Sequence, residues 1–241
     1  MIRSEVYVGT LDALLERLAN DFRTEAERAT ARRGFCAVAL PGGSVAVHGF
    51  SALAALPLDW DQVHFFWVDE RAVPPSDPES NYGVAHTEWL EPARVPMQSI
   101  HRMLADDPDL AAAAVAYDEE LARVLGRPAR LDFVLLGVGP DGHVASLFPE
   151  HSALMDDRRR VVPVVDAPKP PARRLTLTLP VLAAAERVVI MAMGESKAGA
   201  MQESIERADS SPPVALVLQR AKRSLVLLDE AAASRMGRRG S

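Results

Sequence analysis

Residues 131–143 read LDFVLLGVGPDGH. The apolar run Leu131–Val138 stops abruptly at Gly139-Pro140-Asp141-Gly142-His143. A short continuous apolar run bounded by Gly and Pro is the pattern of a strand covered on both faces and followed by a tight turn. The same pattern recurs on either side. Phe35–Leu40 (FCAVAL) ends in Pro41-Gly42-Gly43, Val63–Val68 (VHFFWV) ends in Asp69-Glu70-Arg71, and Arg187–Met193 (RVVIMAM) ends in Gly194-Glu195-Ser196-Lys197. Val214–Leu218 and Ser224–Leu228 read as two more strands, and Arg173–Thr178 alternates like a strand that begins with a basic pair. Between these runs the apolar spacing is helical. Residues 11–29 place Leu11, Leu14, Leu15, Leu18 and Phe22 on one face behind Thr10 as N-cap, so the chain ahead of Phe35 reads as one amphipathic helix. Further helices are expected around 45–56, 80–91, 107–125 and 196–208.

Strands covered on both faces and alternating with helices specify an α/β fold: a single domain with an open, mainly parallel, Rossmann-like sheet flanked by helices. Ligands of such sheets bind outside the carboxyl ends of the strands. The four loops quoted above leave those ends, and they carry most of the glycines and reactive polar groups. The Pro-rich patches 73–78 (VPPSDP) and 163–171 (PVVDAPKPP) read as loops within the domain, and Arg158–Arg160 as a solvated turn. The domain is expected to span residues 1–232, with 233–241 as a disordered tail.

The chain has 241 residues, long enough to bury a core without disulfides or metal. Its one cysteine, Cys36, excludes an intrachain disulfide and fits a reducing compartment. With 27 basic against 33 acidic residues the formal charge is −6, so nucleic acid is not an expected partner and any anion must be held by a local positive site. The N-terminus has no apolar core of the signal-peptide kind. The most apolar later stretch, from Leu175 to Met193, is broken by Pro180, Glu186 and Arg187, so no membrane span is expected. A cytoplasmic location follows as the default expectation.

Five constellations can carry chemistry. Pro41-Gly42-Gly43-Ser44 lies between a strand and a helix, where glycines admit a ligand to the backbone and the helix start offers N–H groups to an anion. It is equally the signature of a tight turn with Ser44 as cap. Asp69-Glu70-Arg71 puts three charges at a strand end, which is costly unless they reach solvent or a ligand. In Gly139–His143, a neutral imidazole is the usual base near neutral pH, and Asp141 can set its tautomer. Arg173-Arg174 offers bidentate contacts to phosphate, and Lys197 follows Gly194 at a helix start. The six histidines show no metal-ligand spacing, and Cys36 reads as packing.

In this order the motifs PGGSV (41–45), FFWVDERAVPPSDPESNYG (65–83), LDFVLLGVGPDGHVASLFPEH (131–151), RRLTLTLPVL (173–182) and MGESKA (193–198) resemble those of the 6-phosphogluconolactonases. The first and last motifs are shared with a wider superfamily that includes the glucosamine-6-phosphate deaminases. The resemblance implies the lactonase-type α/β fold and hydrolysis of 6-phospho-D-glucono-1,5-lactone, the second step of the oxidative pentose phosphate pathway. It implies neither metal nor organic cofactor, a small phosphosugar lactone as the one partner, and a monomer or small homo-oligomer. It also implies His143 as general base and Asp69 at the reactive end of the sugar. Gly42, Gly43, Ser44, Arg174 and Lys197 match the phosphate-binding positions, and Arg71 and Asn81 the polar residues that line the substrate. Backbone N–H groups around Gly139–Gly142 are then expected to stabilise the oxyanion. One departure is visible: the family's first loop usually reads S-G-G-S-T-P, and here it is Pro41-Gly42-Gly43-Ser44-Val45-Ala46.

Two other readings compete. A deaminase of the same superfamily would carry Tyr in place of Arg71 and Glu in place of Phe148. A non-catalytic sugar-phosphate sensor would usually carry a DNA-binding segment, which the amphipathic helix ahead of Phe35 does not resemble.

Overall fold

A computed structural model describes residues 4–237. Six strands form one parallel sheet: β1 (Glu5–Val8), β2 (Cys36–Leu40), β3 (Val63–Trp67), β5 (Phe133–Gly137), β8 (Arg187–Ala192) and β9 (Ser224–Leu228), in the order β1-β9-β8-β5-β2-β3. Every residue of β2, β8 and β9 is buried, which is why these strands read as unbroken apolar runs. Three short strands, β4 (Asp69–Arg71), β6 (Val161–Val164) and β7 (Arg174–Leu177), make a separate antiparallel sheet in the order β4-β7-β6. Helices flank the sheets: α1 (Leu11–Arg33), α2 (Gly43–Ala54), α3 (Asn81–Ala85), α4 (Leu110–Leu125), α5 (Leu179–Ala183), α6 (Ala198–Glu206) and α7 (Pro213–Arg220). No helix among the described residues is long and apolar enough to cross a membrane.

α1 shows how the sequence sets an element. The Thr10 hydroxyl accepts from the Ala13 N–H, and Gly34 closes the far end at φ +86°, returning its N–H to Thr30. Leu14, Leu18, Phe22, Ala26 and Ala29 form the buried stripe between these caps. Phe22 stands at the centre of an aromatic cluster, 5.2 Å from Phe133 and 5.6 Å from Trp89 between ring centroids.

The fold departs from the sequence reading in several places. The strand expected at Val214–Leu218 is helix α7. Pro212 and Pro213 open it with a fixed φ, and Val214, Ala215, Val217 and Leu218 turn one face inward. The residues ahead of Phe35 are not one helix: Glu5–Val8 pair with β9 as an edge strand, too short and too exposed to show a period. The loop expected from residue 163 begins two residues inside β6, where Pro163 is tolerated because β6 is a sheet edge. The helix expected at 80–91 divides into α3 and a π-turn, His86–Leu90. Arg160, in the expected solvated turn, forms a bidentate pair with Asp118. Residues 233–237, assigned above to the tail, continue as turns with Ala233 and Met236 against the core. The remainder of that tail, 238–241, lies outside the described residues.

The strand order places the site. From β2 the chain moves outward to β3, then crosses back to β5 on the other side of β2 and continues through β8 and β9. The direction of winding therefore reverses between β2 and β5. Connections leaving the two strands part there and open a crevice at their carboxyl ends. The loop after β2 is Pro41-Gly42, and the loop after β5 is Val138–His143.

Candidate active site

A cleft of about 200 Å³ occupies that crevice. Its walls are Pro41–Ser44 from β2 and α2, Asp69 and Arg71 from β4, Gly137–Pro140, His143 and Ala145 after β5, Arg174 from β7 and Lys197 ahead of α6. Eight of the ten residues expected from sequence line it. Asp141 and Asn81 stand behind its wall.

The loop after β5 is wound tightly. Gly139 N–H donates to the His143 carbonyl at 2.8 Å and Gly142 N–H to the Gly139 carbonyl at 3.0 Å. Both glycine N–H groups are thus engaged and Pro140 has no N–H to give, which narrows the oxyanion expectation in this stretch to the Asp141 N–H. The role of the two glycines is spatial. A Cβ on Gly139 would sit 2.0 Å from His143 Nδ1, and Gly142 has φ +79°, where a Cβ would fall 2.6 Å from Pro212 Cβ. The α7 backbone also holds this turn, through Val214 N–H to the Gly142 carbonyl at 3.0 Å.

His143 Nδ1 lies 2.6 Å from Asp141 Oδ1. Burial pushes the Asp141 carboxyl up, but the hydrogen bond and charge of His143 and the charge of Lys169 outweigh it, so the group stays below its ordinary range. An ionised carboxylate only accepts, so Nδ1 carries the proton and Nε2 is left with its lone pair. Burial drives the imidazole below the ordinary histidine value, against the pull of Asp141, and the charge of Lys169 adds to the lowering. His143 is therefore the neutral base form at neutral pH. The fully buried Phe148 ring packs against it at 4.6 Å, and the Arg174 guanidinium carbon is 5.6 Å from the same ring.

The antiparallel sheet supplies the cationic wall. β4 and β7 set Arg71 directly opposite Arg174. Like charges in such register repel, and an anion between them relieves the cost. Arg174 is buried and fixed: its Nε and Nη2 donate to the carbonyls of Pro171, Lys169 and Pro170 at 2.8, 3.0 and 3.2 Å. Burial lowers its pKa, as it does that of Lys197, where the charge of Lys169 contributes next. Arg173, its neighbour in sequence, faces away and donates to the Pro108 carbonyl. Arg71 Nη1 donates to the Glu79 carbonyl at 2.7 Å, which ties the 73–80 loop to the site. At the start of α2, Gly42 is the N-cap without a side-chain cap bond, so Ser44 does not cap the helix; Gly42, Gly43 and the exposed Ser44 line the cleft there.

The acidic residues of β4 are buried and satisfied. Asp69 accepts from the Ser146 hydroxyl at 2.6 Å and from Asn81 Nδ2 at 3.2 Å. Glu70 accepts from the N–H groups of Arg71, Asn81 and Tyr82 and from the Ser80 hydroxyl. Burial raises the Glu70 carboxyl above its ordinary value against the pull of those N–H groups. Glu70 thus folds the 73–80 loop back on β4. Asn81 does not line the cleft as expected. It clamps Asp69 and fits against Gly42, where a Cβ would fall 1.7 Å from Asn81 Oδ1.

Ser146 and Lys169 are part of this network and were not singled out from sequence. Ser146 lies three residues past His143 and joins Asp69 to Arg174, accepting from Arg174 Nη1 at 3.4 Å. Lys169 stands in the Pro-rich patch, with its Nζ 3.5 Å from Asp141 Oδ1.

The family model described as "Glucosamine-6-phosphate isomerases/6-phosphogluconolactonase" matches residues 9–227. The chain belongs to that family. The 6-phosphogluconolactonase of Streptomyces coelicolor is 38% identical, over 94% of this chain and 92% of its own. That of Mycobacterium tuberculosis is 40% identical over 86% and 88%. The 6-phosphogluconolactonase of Trypanosoma brucei superposes with a TM-score of 0.88, covering 98% of this chain and 100% of that one. At 24% identity the last comparison speaks for fold alone. Family members share this α/β fold, so the side chains of the cleft decide the chemistry.

Proposed function

We propose that the chain hydrolyses 6-phospho-D-glucono-1,5-lactone to 6-phospho-D-gluconate, with His143 as general base. The observation that carries the reading is a neutral, Asp141-oriented imidazole in a cleft also lined by Arg71, Arg174 and Lys197. The two most similar relatives named above are 6-phosphogluconolactonases, which supports the same reaction.

In this account the phosphate is held by Gly42, Gly43, Ser44, Arg174 and Lys197. Anchoring a group remote from the reacting carbon positions the lactone carbonyl and can supply about several kcal/mol of the barrier reduction. His143 Nε2 takes a proton from water as the water attacks C1. The tetrahedral intermediate collapses with the ring oxygen leaving, and the protonated His143 returns the proton to that oxygen. Asp141 holds the tautomer and offsets the charge on the imidazolium. Arg71, directly opposite Arg174 in the β4–β7 pair, lines the substrate beside the phosphate. Asp69, fixed by Ser146 and Asn81, accepts from a sugar hydroxyl.

The deaminase reading meets a specific obstacle. The position that would carry its glutamate is Phe148, fully buried and packed against both His143 and Arg174, so no carboxylate stands there for ring opening. The test is lactone opening followed against the spontaneous rate, with glucosamine 6-phosphate offered in parallel. Accelerated lactone opening without ammonia release supports the proposal; ammonia release without lactone opening overturns it.

A further inference from the structure

We propose that Lys169 couples the substrate's phosphate to the basicity of His143: in the empty site it rests on Asp141, and on binding it transfers to the phosphate and leaves Asp141 to the imidazole. The inference rests on the lactonase reading and deepens it.

One carboxylate oxygen, Asp141 Oδ1, faces the imidazole at His143 Nδ1, 2.6 Å away, and two longer donors at 3.5 Å, the His143 backbone N–H and Lys169 Nζ. The imidazole contact is short. The Lys169 contact is at the long limit, so the ammonium is held loosely. The lysine's mounting, by contrast, is rigid. Its carbonyl accepts from Arg174 at 3.0 Å, and the carbonyls of Pro170 and Pro171 bind the same guanidinium. A half-exposed ammonium on a flexible four-carbon stem is thereby fixed at its base beside an arginine of the cationic wall. Among the described residues Asp141 is the only carboxylate within salt-bridge distance of Lys169, and Lys197 has none. A phosphate carries up to two charges and three acceptor oxygens. It is a stronger partner for Lys169 than a carboxylate oxygen already given to His143.

The groups that face His143 are Asp141, Lys169, Asp69 across the cleft and the apolar ring of Phe148. Asp69 is pinned by Ser146 and Asn81, and Phe148 is fully buried. Lys169 is the charge free to move. While it sits on Asp141 its field opposes protonation of the imidazole. Once it turns to the phosphate, Asp141 acts on His143 alone, and the base strengthens in the complex that needs it. A lactone without phosphate does not draw Lys169 away, so selectivity for the phosphorylated substrate is expressed in kcat as well as in KM.

The test compares wild type, Lys169→Met and Lys169→Arg. His143 is titrated by NMR without and with inorganic phosphate, its signal identified by its loss in His143→Gln. Hydrolysis of the phosphorylated and unphosphorylated gluconolactones is measured beside it. Phosphate is expected to raise the His143 pKa in wild type. In Lys169→Met the pKa starts higher and the step with phosphate shrinks. The kcat ratio between the two lactones falls about tenfold or more, as for loss of a charged hydrogen bond, and Lys169→Arg retains most of it. Identical titrations in wild type and Lys169→Met overturn the proposal. So does an equal loss on both lactones with the titration unmoved, which would mark a purely structural role. Failure of wild type to open either lactone, with the titrations behaving as stated, would strike the lactonase reading and leave the coupling in place.

Discussion

His143 Nδ1 and Asp141 Oδ1 stand 2.6 Å apart across a single glycine, and that contact decides which imidazole nitrogen can act. Asp141→Asn removes the charge and lets an amide N–H face Nδ1, favouring the wrong tautomer. We expect kcat to fall about a hundredfold or more, the scale of a general-base contribution, with KM changing far less. Steady-state kinetics check this, and an unchanged kcat would remove Asp141 from the mechanism.

The pH profile follows from the direction of the His143 shift. Burial lowers the imidazole pKa, so the base form persists to more acidic pH than an ordinary histidine allows. The acid limb of kcat/KM is therefore expected below the ordinary histidine value. In Lys169→Met the limb moves upward, because a cation that opposed protonation is gone. The profile must be corrected for spontaneous opening at each pH.

Gly42 and Asn81 form a second test, since a Cβ on Gly42 would fall 1.7 Å from Asn81 Oδ1. Gly42→Ala should displace Asn81, release Asp69 and cost about 1–3 kcal/mol of stability through overpacking. Adding Asn81→Ala should restore the melting temperature but not the activity, because Asp69 then lacks its clamp. Recovery of both would mean that Asn81 only fills space.

The fold was legible where burial is complete. Cys36–Leu40, Phe65–Val68 and Arg187–Ala192 are buried at every residue, so their composition alone marks them as strands. Val214–Leu218 has the same composition and is helical. Over five residues an apolar run has no period, and the two prolines ahead of it were the only cue. Glycines and reactive groups at strand ends made His143 legible, whereas Arg174 and Lys197 were named through the resemblance to the 6-phosphogluconolactonases. Ser146 and Lys169 were not, because a serine after Val-Ala and a lysine between prolines carry no local signature. Only the register of β4 against β7 and the folding of residues 167–171 around Arg174 bring them to Asp69 and Asp141. The inward turn of the Gly139 and Gly142 N–H groups was equally hidden, since sequence does not give the direction of a peptide.

Stability away from the site rests on the aromatic cluster around Phe22. Phe22→Ala opens a cavity against Phe133 and Trp89 and should cost about 3–5 kcal/mol, seen as a lower denaturant midpoint. Activity of the folded fraction should be close to wild type. A destabilisation under 1 kcal/mol would mean that the cluster collapses to fill the space, roughly the small end of the range for core truncation.

The central claim is that His143 activates water on a phosphorylated lactone. Its most direct measurement is the opening of freshly generated 6-phosphogluconolactone by wild type and by His143→Ala at equal concentration, against the spontaneous rate. The account predicts acceleration by wild type that falls by about 10²–10⁴ in a folded variant. Equal acceleration by both proteins would contradict it.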